Sequence, residues 1–123
     1  YKIEETIITT LNEFGVNGKR SNGNPGVWVE DSKIAAVGVK ISEGISSHGF
    51  SINLTTDLSC FDFIVPCGIP DKSVCSLYSL GIKPIDPNQF RETLIKNFSF
   101  VFNLPVQTCS PNEIEHMYNI NII

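Results

Sequence analysis

The chain has 123 residues, a formal net charge of −4 at pH 7, 41% hydrophobic side chains and 18% charged ones. This length suits about one domain, and the composition is globular, not disordered or fibrous. No run of Lys and Arg is present, so nucleic acid is not expected as a partner. No apolar stretch approaches the roughly 20 residues of a membrane helix, so a membrane is not expected either.

The first fifteen residues, "YKIEETIITTLNEFG", predict a helix. Apolar residues recur at helical spacing, and Gly15 is a stop signal. The apolar set is Ile3, Ile7, Ile8, Leu11 and Phe14. Residues 17–26 are crowded with Gly, Asn, Ser and Pro, which predicts a loop.

A β region follows this loop. The stretches "GVWVE" and "KIAAVGVKI" predict a hairpin with its turn at Asp31-Ser32, and "ISSHGFSINL" predicts a third antiparallel strand. Gly38 and Gly49 fall inside these strands, where a glycine has no side chain to pack. Such glycines mark either a bulge or a place where a ligand approaches the backbone, and the sequence leaves both open.

The rest of the chain is turn-rich and then helical. A short strand is expected at residues 74–78, followed by a helix with Asp86 as N-cap and Pro87 as first residue, ending at Pro105. Its predicted buried stripe is Phe90, Leu94, Phe98, Val101 and Phe102. Residues 1–106 are thus expected to form one α+β unit, an antiparallel or mixed sheet flanked by helices, and residues 107–123 a loosely ordered polar tail.

The cysteines bear on both compartment and chemistry. Cys60, Cys67, Cys75 and Cys109 form no C-x-x-C pair, so no metal site is expected, and their density is too low for a disulfide framework. The absence of a disulfide framework favours a reducing compartment for this protein.

Cys67 is the candidate nucleophile, because it lies in the bend Pro66-Cys67-Gly68 directly after an apolar run. An unassisted thiol is mostly protonated at neutral pH, so it requires a cationic or basic neighbour. Lys33 and His48 are the candidates, and the residues alone do not choose between them. Each residue also has a plain structural interpretation: a small side chain in a loop, a solvated charge and a strand histidine.

Residues 26–69 contain a series of short motifs. In order they are G-V-W-V at 26–29, K-I-A at 33–35, G-V at 38–39, H-G at 48–49, N at 53, D-L at 57–58 and P-C-G at 66–68. This set and its spacing resemble the core of the lipoyl (octanoyl) transferases, also called lipoate-protein ligase B. The resemblance implies a biotinyl/lipoyl protein ligase-like, class II synthetase-like catalytic domain.

The resemblance also implies a reaction. An octanoyl group passes from acyl carrier protein to a cysteine and then to a lysine of a lipoyl domain. Carried onto this chain, Cys67 is the nucleophile and Lys33 lowers the Cys67 pKa and shuttles protons. The implied substrate-binding residues are Ala36, Val37, Gly38, His48, Gly49, Phe50 and Ser51.

Cofactors, partners and location follow from the same resemblance. No cofactor is implied, and the acceptors are lipoyl domains of 2-oxoacid dehydrogenase complexes and the glycine cleavage H protein. The location is the mitochondrion or plastid in a eukaryote, and the cytoplasm in a bacterium.

One part of the family pattern is missing from the sequence. The R-G-G…T-x-H-G-x-G segment of the family's first half has no match here, so the chain resembles the C-terminal half of such an enzyme. Two alternatives stay open: a non-catalytic fragment that binds a carrier or lipoyl domain, and an ATP-dependent lipoate or biotin ligase.

Overall fold

The computed structural model describes residues 1–63 and 73–118. Helix α1 (Lys2–Glu13) opens the chain, as its apolar spacing predicts, and buries Ile7 and Leu11 completely. It ends at Phe14, and Gly15 follows with φ +77°, a left-handed conformation that favours glycine.

The centre of the fold is a mixed sheet. Strands β1 (Lys19–Ser21), β2 (Asn24–Val29), β3 (Ser32–Ser42) and β4 (Ile45–Ile52) follow one another as antiparallel neighbours. Strand β5 (Ser73–Val74) pairs in parallel with the start of β3. The predicted hairpin, the third strand and the α+β class are therefore confirmed, but the hairpin turn lies at Glu30-Asp31 and not at Asp31-Ser32, because Val29 pairs with Ser32.

The sheet differs from the sequence-based expectation in two places. The expected loop at residues 17–26 contains β1, because Ser21 pairs with Asn24 around a tight turn whose Gly23 has φ +79°. The strand expected at residues 74–78 is shorter, since β5 ends at Val74 and turns follow. Of the two interpretations left open for Gly38 and Gly49, the structure excludes a bulge, since these residues oppose each other in regular register.

A 3₁₀ helix (Leu58–Phe63) follows β4, and helix α2 (Pro87–Phe102) lies against α1. Helix α2 begins as predicted, with the Asp86 carboxylate accepting from the Asn88 N–H at 2.9 Å. It also ends where predicted: Asn103 adopts a left-handed conformation and caps the helix, and Pro105 follows two residues later.

The predicted stripe of α2 lies on the inward side of the helix, but only Phe90 is fully buried and the other four members are half-buried. The other buried residue is Asn97, whose amide donates to Thr10 Oγ1 at 3.1 Å and to Glu13 Oε1 at 2.8 Å. Helix α2 thus meets α1 through the polar contacts of Asn97 and through the packing of Phe90 on Phe14, whose ring centroids are 5.0 Å apart. Phe98 and Phe102 stack on each other at 4.2 Å between ring centroids and are half-buried.

Helix α3 (Pro111–Tyr118) lies within the predicted tail. A reciprocal capping box starts it: Ser110 N–H donates to Glu113 Oε2 at 2.6 Å, and Glu113 N–H donates to Ser110 Oγ at 3.3 Å. None of its residues is buried. Within the ranges described, no helix is both long and apolar enough to cross a membrane.

The core lies where α1, strands β2 and β3, the turn after β5 and the start of α2 meet. Its buried members are Ile7, Leu11, Val16, Val27, Ile34, Ala35, Cys75, Leu77 and Phe90. Ile34 and Ala35, near the start of β3, belong to this core. They also line the cavity at which the candidate site is built, so the core supports that site.

Candidate functional site

A cavity of about 90 Å³ lies at the base of the β3–β4 pair. Its walls are Lys33 to Ala36 of β3, Ser51 of β4, and the side chains of Asn53, Phe61 and Val74. A larger depression of about 360 Å³ lies between the end of α1 and Leu80 and Ile82. We take the smaller cavity as the candidate site, because the larger one contains none of the residues that the sequence singled out.

Lys33 is buried, with 8% of its surface exposed, so its interpretation as a solvated charge is wrong. It faces Trp28 directly across β2 and β3, and its Nζ lies over the indole ring, 4.8 Å from the centroid. The electron-rich face of an indole ring attracts a cation, and this attraction strengthens when water is excluded. A buried ammonium group at a cavity wall is therefore stabilised partly by its aromatic neighbour.

Gly26 makes the close approach of β2 and β3 possible beside Lys33. A Cβ atom at this position would lie 2.4 Å from the Ala35 carbonyl oxygen and 3.5 Å from Lys33 Cε. Its φ of +123° is also unfavourable for other residues. The Gly26 N–H donates to Glu4 Oε1 at 3.2 Å, which ties this part of β2 to helix α1.

The paired glycines leave a strip of bare backbone farther along the same strands. Gly38 opposes Gly49, and a Cβ atom at either position would meet nothing within 4 Å. Alternation along the strands places Ala36 and Ser51 on the same face as these glycines. That face is bare backbone and small side chains, which suits close contact with an extended apolar chain.

The other predicted substrate-binding residues are arranged differently. Val37 and Phe50 oppose each other, are half-buried and pack against the core. His48 is exposed and opposes Val39, with φ +68° in the left-handed region. These three do not line the cavity, whereas Ala36 and Ser51 do.

Asn53 connects three parts of the chain at the cavity, a role that the sequence analysis missed. Its backbone N–H donates to the Ile34 carbonyl at 2.9 Å, and its side-chain Nδ2 donates to the Cys75 carbonyl at 3.1 Å. Its own carbonyl accepts from Leu77 N–H at 3.1 Å. The only sequence signal was its place in the H-G-x-x-x-N motif, since the contacts join residues far apart in the chain.

Cys67 lies outside the described residues. Of the described cysteines, Cys60 and Cys109 are exposed, while Cys75 is buried beside β3 and its thiol lies 3.7 Å from the Ser32 carbonyl oxygen. Burial raises the pKa of the Cys75 thiol to about 11, so it is protonated and a poor nucleophile at neutral pH. In the described ranges, no three His, Cys, Asp or Glu side chains come together as they would to hold a metal.

Comparison with solved structures shows the same fold. Protein Ta0514 of T. acidophilum, described as a lipoate protein ligase and solved with bound lipoic acid, has a TM-score of 0.73 to this chain at 14% identity. The match covers 93% of this chain and 49% of Ta0514. Lipoate-protein ligase A bound with ATP matches 93% of this chain with 50% of its own, at a TM-score of 0.66 and 15% identity.

Comparison with curated sequences gives much higher identity. The octanoyltransferase of Synechococcus sp. (strain JA-2-3B'a(2-13)) is 41% identical over 109 residues, which are 89% of this chain and 41% of that protein. The octanoyltransferase of Alkaliphilus metalliredigens is 41% identical over 105 residues, or 85% of this chain and 48% of that protein. The octanoyltransferase of Acidobacterium capsulatum is 56% identical over 81 residues, which are 61% of this chain and 33% of that protein.

The chain therefore spans half or less of the length of these relatives. The family model described as the lipoyl protein ligase A/B catalytic domain matches residues 1–99, which is most of the chain. The resemblance predicted from the motifs is confirmed: the chain belongs to the lipoyl protein ligase A/B catalytic domain family, with octanoyltransferases among its relatives.

Proposed function

We propose that this protein transfers an octanoyl group from acyl carrier protein to a lysine of lipoyl domains, through a thioester on Cys67. The observation that carries the proposal is the buried Lys33 at the wall of a cavity, in a chain whose relatives are octanoyltransferases. A buried ammonium group is a strong local charge that favours a neighbouring thiolate.

The first half of the reaction forms the acyl-enzyme. The Cys67 thiolate attacks the carbonyl carbon of the octanoyl thioester on the carrier protein. The bond to the carrier sulfur breaks, and the Lys33 ammonium group donates a proton to the departing thiolate.

The second half regenerates the enzyme. The lysine amine of the lipoyl domain attacks the Cys67 thioester carbon, an amide bond forms, and the Cys67 sulfur leaves as the thiolate. The proton released by the attacking amine returns to the neutral Lys33 amine. The charges on Lys33 and Cys67 are thereby restored, so neither half of the reaction requires a cofactor.

The acyl chain is proposed to lie along the bare face of β3 and β4, from Ala36 and Ser51 towards the paired glycines. The open space at Gly38 and Gly49 supports this position, because an apolar chain can contact backbone there without displacing a side chain. His48, Val37 and Phe50 complete the proposed surroundings of the substrate, with Val37 and Phe50 as support from the core face.

The partners and the compartment are part of the same proposal. The donor is acyl carrier protein, and the acceptors are the lipoyl domains of 2-oxoacid dehydrogenase complexes and the glycine cleavage H protein. The reaction takes place where these partners occur, which is a mitochondrion or plastid in a eukaryote and the cytoplasm in a bacterium.

The test is octanoyl transfer by the full-length protein, with octanoyl carrier protein, an unmodified lipoyl domain and no ATP. We expect octanoylated lipoyl domain by mass spectrometry, loss of transfer in Cys67→Ser, and a rate reduced about 100-fold or more in Lys33→Ala. Cys60→Ser, which removes an exposed thiol, is the matched control and retains the wild-type rate.

Two results would overturn the proposal. Transfer that requires ATP and survives in Cys67→Ser would indicate an acyl-adenylate ligase, which needs no cysteine nucleophile. Binding of carrier protein or lipoyl domain without any transfer would indicate a non-catalytic module.

A further inference from the structure

Trp28 is the only tryptophan of the chain, and it is almost completely buried, with 1% of its surface exposed. Most buried aromatic residues simply fill a core. Trp28 instead lies directly opposite Lys33 in the β2–β3 ladder, with the Lys33 ammonium group over its ring. Its two cross-strand neighbours are both lysines, Lys19 on β1 and Lys33 on β3, and the ammonium group of Lys33 lies over the ring.

The orientation of the indole ring is fixed at its other end. Indole Nε1–H donates to the Asn24 carbonyl oxygen at 3.3 Å, within the same strand. A buried indole N–H requires such a partner, and this bond restrains rotation of the ring. The face that Trp28 presents to Lys33 is therefore set by β2 itself.

The Lys33 side chain has a defined path to that face. Gly26 lies beside it, and a Cβ atom there would already be in van der Waals contact with Lys33 Cε, at 3.5 Å. The lysine stem thus passes an unobstructed stretch of β2 before its ammonium group reaches the ring. The flexible four-carbon stem of a lysine otherwise permits many positions of its charge.

We propose that Trp28 is a positioning residue for Lys33: its ring face holds the ammonium group at the cavity wall, where the acyl-transfer reaction uses it. This inference rests on the proposed function of Lys33 and adds a residue that acts through it. A cation–π contact suits this purpose, because an aromatic ring attracts the ammonium group but does not accept its proton. A basic group in the same place would compete for that proton.

The first experiment compares the fluorescence emission of Trp28 between lysine variants of the full-length protein. The charge over the ring acts on the excited-state dipole of the indole, so Lys33→Met, which keeps the length of the side chain without its charge, is expected to change the Trp28 emission maximum or yield. Lys40→Met is the matched control, since Lys40 is exposed on the same strand. Any other tryptophan in the full-length protein is replaced by phenylalanine in all samples.

The second experiment measures transfer. Trp28→Leu keeps an apolar side chain without a ring face, and we expect kcat to fall about 3- to 30-fold with little change in KM for octanoyl carrier protein. Trp28→Tyr keeps an aromatic face and is expected to retain most of the activity. In the Lys33→Ala background, Trp28→Leu is expected to have no further effect on kcat per folded molecule, because the two residues act as one unit.

The outcomes separate this inference from the proposed function. If Lys33→Ala transfers at the wild-type rate, the proposed role of Lys33 fails. If Lys33→Ala is slow but Trp28→Leu lowers kcat equally in both backgrounds, Trp28 has a merely structural role and this inference is overturned. If Trp28→Leu does not fold, the emission experiment decides, because it keeps Trp28 in place. A Trp28 emission spectrum that Lys33→Met leaves unchanged would overturn this inference.

Discussion

The two ends of the β3–β4 hairpin form one continuous antiparallel ladder, but their surroundings differ completely. At the base, Ile34 and Ala35 are buried between α1 and the turn after β5. At the distal end, Ile41 and Ile45 are 73% and 72% exposed. Alternating apolar residues therefore form strand structure along the whole hairpin, whereas burial depends on what packs against each part.

This difference separates two kinds of sequence constraint. Residues at the base are held by packing and by hydrogen bonds from Asn53, so changes there are expected to alter folding. Residues from Gly38 to His48 have little packing in the described part of the chain, so changes there are expected to alter function more than stability. Substitutions in both regions test this contrast.

The largest difference is expected between Ile34→Ala and Ile41→Ala. Ile34 is completely buried, so its truncation removes apolar contacts and leaves a cavity, which costs about 2–5 kcal/mol of unfolding free energy. Ile41→Ala is expected to change that free energy by less than about 0.5 kcal/mol. Urea unfolding followed by circular dichroism measures both, and equal losses would refute the contrast.

The two glycine substitutions come next. Gly26→Ala is expected to lower the unfolding free energy by at least about 1–3 kcal/mol, because its φ is positive and its Cβ would collide with the Ala35 carbonyl. Gly38→Ala has space and an ordinary φ, so stability is expected to stay the same or rise slightly. Thermal unfolding and octanoyl transfer are measured together; Gly38→Ala is expected to slow transfer while Gly26→Ala mainly lowers the melting temperature.

A pH-dependent loss of stability is expected from the buried thiol of Cys75. Cys75 has a folded pKa of about 11, above its unfolded value near 9, so its contribution to stability is complete below pH 9 and is lost as pH rises towards 11. Wild-type protein is expected to lose more stability over that range than Cys75→Ala. Identical pH profiles for the two proteins would show that this thiol is not buried as described.

The smallest effect is expected at His48, whose left-handed backbone is uncommon for a residue with a side chain. His48→Gly removes that constraint and is expected to change stability by less than about 1 kcal/mol, in the stabilising direction. His48→Val introduces a β-branched side chain and is expected to destabilise by about 1–2 kcal/mol. A higher denaturant midpoint for His48→Val than for His48→Gly would contradict the left-handed conformation of His48.

Local signals explain what the sequence predicted well. The start of α2 follows from Asp86 and Pro87, and the hairpin follows from alternation around a short turn, because each depends on residues close together in the chain. Strand β1 was missed because three residues beside an Asn/Gly-rich turn do not stand out from loop composition.

Long-range contacts explain what the sequence did not predict. The burial of Asn97 in α2 was not predicted, because its partners Thr10 and Glu13 lie on α1, far away in the chain. The pairing of Trp28 with Lys33 depends on the register of two strands, and the Asn53 contact joins residues 22 positions apart. The residues alone made Lys33 and the paired glycines candidates among alternatives, the family motifs favoured them over those alternatives, and their geometry came from the fold.

The most direct test of the account is the position of the acyl group on the enzyme. Full-length protein is incubated with octanoyl carrier protein without a lipoyl domain, and intact-mass analysis is followed by peptide mapping. We expect a single octanoyl thioester on Cys67, absent in Cys67→Ser and passed to a lipoyl domain added afterwards. An octanoyl group on another residue, or transfer to the lipoyl domain without any acylated enzyme, would contradict the account.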